Sequence, residues 1–158
     1  MTKITAFLFL VNLFLVIPGT VFAWSGKVVN VEDGDSIVVL RHHKEIEVRL
    51  YGIDVPEYDQ PFGTKASRFT SKLADNKIVE VEVMDMDQYG RTVGLVYIEG
   101  DGECLNEELV KAGYAWVYER YCDIKDCEAW QKLETVARVS EKGLWSRKKP
   151  IPPWDWRH

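Results

Sequence analysis

Three short stretches of the chain gather the side chains that can do chemistry: Asp33-Gly34-Asp35-Ser36, Arg49-Leu50-Tyr51-Gly52-Ile53-Asp54-Val55-Pro56-Glu57, and Asp87-Gln88-Tyr89-Gly90-Arg91. Taken alone, the first reads as a common hairpin turn. Taken with the others, it makes Asp35 and Asp54 a pair of hard oxygen donors. Ca²⁺ accepts such donors, with water and carbonyls completing its shell. Pro56 disfavours helix at Val55 and holds the segment extended, so a backbone carbonyl there can face outward. Glu57 can position or deprotonate an attacking water. Arg49 and Arg91 supply planar forks that stay charged and bond two oxygens at once. Carboxylates alone suggest a metal, and arginines alone suggest an anion. The two together point to phosphoryl transfer, with a bound cation as Lewis acid and the arginines opposing negative charge in the transition state.

Five stretches must position these groups. Lys27 to Val31, Ser36 to Leu40, Glu45 to Tyr51, Lys77 to Met84 and Thr92 to Ile98 are short, rich in Val and Ile, and bounded by turn residues. Glu45 to Leu50 and Val79 to Val83 alternate strictly, which puts one face in a core and one in solvent. Helical spacing runs through Phe62 to Ala74, Asn106 to Ala112 and about Asp126 to Lys142. Asn106 is the expected N-cap of the second helix, with Gly113 its stop. Gly143 is the expected C-cap of the third. Strand order and length predict an α+β domain: a five-stranded oligonucleotide/oligosaccharide-binding (OB) barrel with three helices, a small sandwich fitting nearly as well. The chain after Trp145 turns basic and Pro-rich, Arg147 to Pro153, and ends Trp154-Asp155-Trp156-Arg157-His158. It reads as an extended tail whose tryptophans dock on the barrel or stay free.

The strings V-x-D-G-D-S, R-L-x-G-I-D-x-P-E, D-x-Y-G-R and L-N-x-x-L-V-x-x-G, in that order and spacing, resemble the staphylococcal nuclease family across roughly Lys27 to Trp145. The resemblance implies calcium held by Asp35, Asp54 and the Val55 carbonyl, with Asp33 in the outer shell. It implies Glu57 as the water-activating residue and Arg49 and Arg91 as the phosphate-binding, transition-state-stabilising pair. It further implies cleavage of the 5′ P–O bond of DNA and RNA, single-stranded or locally unpaired, leaving 3′-phosphates. Ser36 stands where many relatives have Thr, and Val55 where some have Thr or Ala. Tyr118 and Tyr121 fall where relatives pack tyrosines on the nucleotide, so each is a candidate for base stacking or for ordinary packing.

Composition sets the boundaries. The full chain of 158 residues has 12% aromatic and 28% charged residues and a net charge of −5. That suits one domain and argues against an extended, non-specific grip on nucleic acid. Residues 1 to 23 read as an export signal: Lys3, an apolar run from Ile4 to Ile17, then Val21-Phe22-Ala23 before the cut. The run is short of the roughly 20 residues a membrane span needs, so no stable membrane association is expected after cleavage. Losing the leader removes Lys3 and no acidic residue, making the net charge −6. The expected product is an exported monomer, in the periplasm or the medium, with a nuclease domain over residues 24–146 and a tail over 147–158. In that setting Cys122 and Cys127 can form a local disulfide. Cys104, left over, reads as a small buried hydrophobe. His42-His43 read as a solvated turn. Two other readings are a non-catalytic OB module, which should be basic and carry a damaged site, and a two-carboxylate carbohydrate hydrolase.

Overall fold

The computed structural model describes residues 22–100 and 102–157, so residues 1–21 of the expected leader lie outside the described residues. Five strands close into a barrel: β1 (Ala23–Val31), β2 (Ser36–Arg41), β3 (Lys44–Leu50), β5 (Ile78–Met86) and β6 (Thr92–Ile98). Their order around the barrel is β1-β2-β3-β6-β5. All pairs are antiparallel except β3 with β6, where Val48, Arg49 and Leu50 face Thr92, Val93 and Gly94. This is the α+β, OB-type barrel expected from the strand pattern. Two short strands, β4 (Ile53–Asp54) and β7 (Trp116–Val117), add a separate ribbon that the sequence reading missed. At two residues each, they are too short to show alternation.

Alternation places the core as the sequence predicts. Val28, Ile37, Val39, Val48, Val79, Val81 and Val96 are fully buried inside the barrel. β1 begins four residues before the expected Lys27, because Ala23 to Gly26 pair with Glu82 to Val79 of β5. Trp24 is buried by that pairing. His42 and His43 have φ of 47° and 65° and are exposed, forming the two-residue turn between β2 and β3. Positive φ at both positions matches the right-handed twist of the flanking strands.

Helices α1 (Gly63–Ala74), α2 (Leu105–Lys111) and α3 (Lys125–Val139) pack outside the barrel, α1 on β1 and α2, α2 on β6 and α3, and α3 on β7. Two expected caps are corrected. Asn106 lies inside α2, whose N-cap is Cys104. Its side chain is instead a buried bridge: Oδ1 accepts the Val96 N–H at 3.1 Å, and Nδ2 donates to Tyr51 O at 2.9 Å and Gly94 O at 3.2 Å. An amide carries both a donor and an acceptor, so one side chain can satisfy three buried backbone groups. Gly143 does not cap α3. Glu141, at φ 51°, takes the left-handed position, with Glu141 N–H on Arg138 O and Lys142 N–H on Ala137 O. Gly143 is needed for a close approach: a Cβ there would lie 2.2 Å from Gly113 O. Gly113, at φ 75°, does end α2 as expected.

Cys122 and Cys127 are joined in a disulfide. Its Cys122 sulfur packs on Gly52, where a Cβ would approach to 2.7 Å. Cys104 is half-buried rather than fully so, and it is reduced. The tail is not extended to its end. Pro153–Trp156 forms a short fourth helix, α4, with proline in the first turn, where its missing N–H costs nothing.

Candidate active site

The outer end of β3, the β1–β2 loop and the segment after β4 meet in one cleft of about 160 Å³. Asp33, Asp35, Ser36, Arg49, Asp54, Val55, Pro56, Glu57, Arg91 and Arg157 line it. Arg49 lies between buried Val48 and Leu50, so strand alternation turns its side chain to the outside of the barrel. There it joins the two carboxylates. Nη2 bonds Asp54 Oδ1 at 2.8 Å, Nη1 pairs with Asp35 Oδ2, and Nη2 also donates to Ile53 O at 3.2 Å. Asp35 and Asp54 are only 4% and 1% exposed, a burial that charged groups tolerate when paired and hydrogen-bonded. Burial holds the Arg49 pKa below its ordinary value, with the charges of Asp54 and Asp33 opposing but not cancelling that effect.

Local structure sets each carboxylate. Asp35 Oδ2 accepts the Val55 N–H at 2.9 Å, which links the first loop to the second. Asp33 Oδ1 accepts the Asp35 N–H at 3.0 Å, placing Asp33 behind Asp35. The loop is held from below by Thr70 of α1, whose hydroxyl donates to Gly34 O at 2.6 Å. Gly34 is therefore a packing glycine: a Cβ would meet Ala66 and Val55 at 2.9 Å. The Asp-Gly pair is part of a braced site and not a free hairpin turn.

Glu57 heads a tight turn into α1. Its carbonyl accepts the Gln60 N–H at 2.9 Å, and its N–H donates to Gln60 Oε1 at 3.0 Å. Gly63 presses against the same carbonyl so closely that a Cβ would lie 1.8 Å away. Arg91 sits on its own turn: Nε donates to Asp87 Oδ2 at 2.7 Å, and Asp87 also takes the N–H groups of Tyr89 and Arg91. Desolvation pushes the Asp87 pKa up, but these hydrogen bonds win and leave it lowered.

All six residues singled out for catalysis and metal binding line this one cleft: Asp35, Arg49, Asp54, Val55, Glu57 and Arg91. Among the described residues no group of three or more His, Cys, Asp or Glu side chains is arranged as a metal cage. Two carboxylate side chains plus a backbone oxygen suit a hard dication that keeps several waters, and not a closed ligand set. Tyr118 and Tyr121 stand apart from the cleft lining. Tyr118 is half-buried, with its ring stacked on Trp154 at 4.7 Å and 11° and edge-on to Tyr121 at 4.9 Å. Tyr121 is exposed.

Two residues of the site were not anticipated. Gln60 is recognisable only from its fold position, because its role is to bond the Glu57 backbone. Arg157 enters from the far end of the chain, bonding Asp54 Oδ2 at 2.8 Å and Glu57 Oε1 at 2.5 Å. The aromatic flank Trp154-Asp155-Trp156 was the available hint that this terminus is anchored.

The four motifs, the barrel that carries them and the convergence of the first three on one cleft agree with comparison to known proteins. A family model described as staphylococcal nuclease homologue matches residues 47–147. A protein of Escherichia coli O157:H7 named uncharacterized endonuclease is 39% identical over 145 residues, covering 87% of this chain and 92% of the relative. The micrococcal nuclease of Shigella flexneri is 37% identical over 145 residues, covering 85% of this chain and 83% of the relative. With the OB-type barrel closed, the arginine–carboxylate cleft assembled on its outer face and relatives aligned along nearly their whole length, the chain belongs to the staphylococcal nuclease family.

Proposed function

We propose that the protein is an exported, calcium-dependent nuclease that hydrolyses phosphodiester bonds of single-stranded or locally unpaired DNA and RNA. The observation that carries this reading is the buried Asp35–Arg49–Asp54 bridge, flanked in one cleft by Glu57 and Arg91. Export is supported by the leader pattern and by the Cys122–Cys127 disulfide, a bond that oxidising compartments favour.

Asp35, Asp54 and the Val55 carbonyl are the groups that would hold calcium, with Asp33 fixing the Asp35 loop from the outer shell. When bound, that cation supplies Lewis-acid polarisation of a phosphate oxygen and offsets its charge. The chain's own residues do the rest. Arg49 and Arg91 turn their forks toward the equatorial phosphate oxygens and oppose the charge that builds in the transition state. Glu57 accepts the proton of the attacking water as the water oxygen bonds to phosphorus and the 5′ P–O bond breaks. The products are a 3′-phosphate and a 5′-hydroxyl, whose oxygen takes its proton from solvent. Exposed Tyr121 offers an aromatic face for a neighbouring base or sugar, and Tyr118 can do so only with the face not stacked on Trp154.

The test is degradation of single-stranded DNA by the purified mature protein in calcium, in chelator, and with a Glu57→Gln variant. Cleavage is expected in calcium only, reduced in the variant by about 10²- to 10⁴-fold, the usual worth of a positioned general base. A folded, disulfide-intact protein that cuts no DNA with any divalent ion would sink the reading. So would a Glu57→Gln variant that keeps full activity.

A further inference from the structure

The C-terminal tail puts a third guanidinium into the cleft. Arg157 Nη2 donates to Asp54 Oδ2 at 2.8 Å, and Nη1 donates to Glu57 Oε1 at 2.5 Å. Nη1 also reaches Asp54 Oδ1 at 3.4 Å. This is an anchored position. Trp154 stacks on Tyr118 and meets Trp116 edge-on at 5.8 Å. Trp156 Nε1 donates to Asp59 Oδ1 at 3.2 Å. Gln60 Nε2 donates to Ile151 O at 2.6 Å, so the residue that fixes the Glu57 backbone also holds the tail. The matched family segment stops at residue 147, and the whole of α4 lies beyond it.

All three arginines of the cleft rest on carboxylates in the same manner: Arg49 on Asp35 and Asp54, Arg91 on Asp87, Arg157 on Asp54 and Glu57. Asp54 alone holds two of them. A dication on Asp54 would repel both guanidiniums at contact range, where like charges interact most strongly. The Arg157 side chain is 43% exposed against 18% for Arg49, so Arg157 is the freer to turn into the opening. The cleft lining carries Asp33, Asp35, Asp54 and Glu57 against three arginines, a net charge of −1, and a dication makes it +1. In a chain of net charge −5, that local positive field is what a phosphate strand can find.

We propose that Arg157 is a third phosphate-binding arginine of the cleft, delivered by the tail, which leaves Asp54 and Glu57 for a substrate phosphate when the metal takes Asp54. This rests on the nuclease reading. It makes the tail a working part of the substrate site.

The deciding experiment measures binding of a fluorescein-labelled, cleavage-resistant phosphorothioate oligothymidylate by anisotropy, in calcium, across a KCl series. The proteins are the parent, Arg157→Gln, Arg157→Lys and Trp154→Ala, each checked for folding by circular dichroism. Arg157→Gln is expected to bind about tenfold more weakly, the scale of a lost charge-assisted hydrogen bond. Its slope of log affinity against log salt should fall by about 0.7, one phosphate contact on a single strand. Arg157→Lys should keep the slope and lose part of the affinity, because it keeps the charge without the fork. Trp154→Ala, which frees the tail, should move toward Arg157→Gln. On ordinary DNA, Arg157→Gln should raise KM and leave kcat within a few-fold.

An unchanged slope and affinity in Arg157→Gln overturns the proposal. A fall in kcat with KM and slope unchanged overturns it too, since Arg157 would then only position Glu57. If the parent binds the oligonucleotide but cuts no DNA, the nuclease reading fails while the slope still decides Arg157. If the parent does not bind, both fail.

Discussion

Arg49 shows how much one side chain can organise. Its fork spans Asp35, Asp54 and the Ile53 carbonyl, so it sets the separation of the two carboxylates as well as facing substrate. Lysine carries the same charge on a single point and cannot bond both acids in a fixed plane. Arg49→Lys is therefore expected to lower kcat by about 10²- to 10³-fold, the worth of one oriented donor to developing charge. Calcium affinity by calorimetry should remain measurable, because both carboxylates are retained. A variant within a few-fold of the parent would show that charge alone suffices at this position. Asn106 is the opposite kind of residue. It touches no reacting group, yet it ties Val96, Gly94 and Tyr51 together beside the strand end that carries Arg49. The helix-start pattern made Asn106 look like a cap. Its burial is decided by α2 packing against β6, which no local pattern reports.

The elements matter most where they enter and leave the cleft. The turn from Glu57 to Gly63 is held by three backbone or amide bonds and by the contact of Gly63 with the Glu57 carbonyl. Phe62, at φ 79°, accepts a left-handed backbone to start α1 directly after it. Gly63→Ala has no room for its methyl without shifting Glu57, and displacement of about 1 Å at a catalytic group can cost about 10²-fold. The expected result is a matching loss of kcat with circular dichroism close to the parent. Full activity in Gly63→Ala would show that the turn yields without moving Glu57. The sequence made the helix after this turn legible through Ala66, Phe69 and Leu73. It did not reveal the glycine's role, which depends on a carbonyl six residues earlier folding back onto it.

At the scale of the whole molecule, the tail folds the chain back onto its own site, since Arg157, 100 residues on in sequence, reaches Glu57. Stability at high pH is another global property. Cys104 stands at the start of α2 between Tyr97 and Asn106. Burial, the largest cause, pushes its thiol from an ordinary 9.0 up to about 11. A raised folded pKa means the neutral thiol is favoured in the native state. Its contribution is complete below pH 9.0 and is lost as pH rises through about 11. Thermal melts across that window should therefore fall more steeply for the parent than for Cys104→Ala. Parallel slopes would show that the thiolate is accommodated without strain.

What the sequence by itself determined is the part written in local rules. Period-two alternation placed the barrel strands, the strand-tip position marked His42-His43 as a turn, and motif spacing picked out Asp35, Arg49, Asp54, Val55, Glu57 and Arg91. Strand alternation even fixed which way Arg49 faces, because Val48 and Leu50 must go inward. Only the tertiary structure decided the long-range contacts: Thr70 under Gly34, Gln60 between Glu57 and Ile151, Gly143 against Gly113, and Arg157 on Asp54. Each of these joins residues far apart in the chain, and each depends on packing and charge balance that exist only once the barrel has closed.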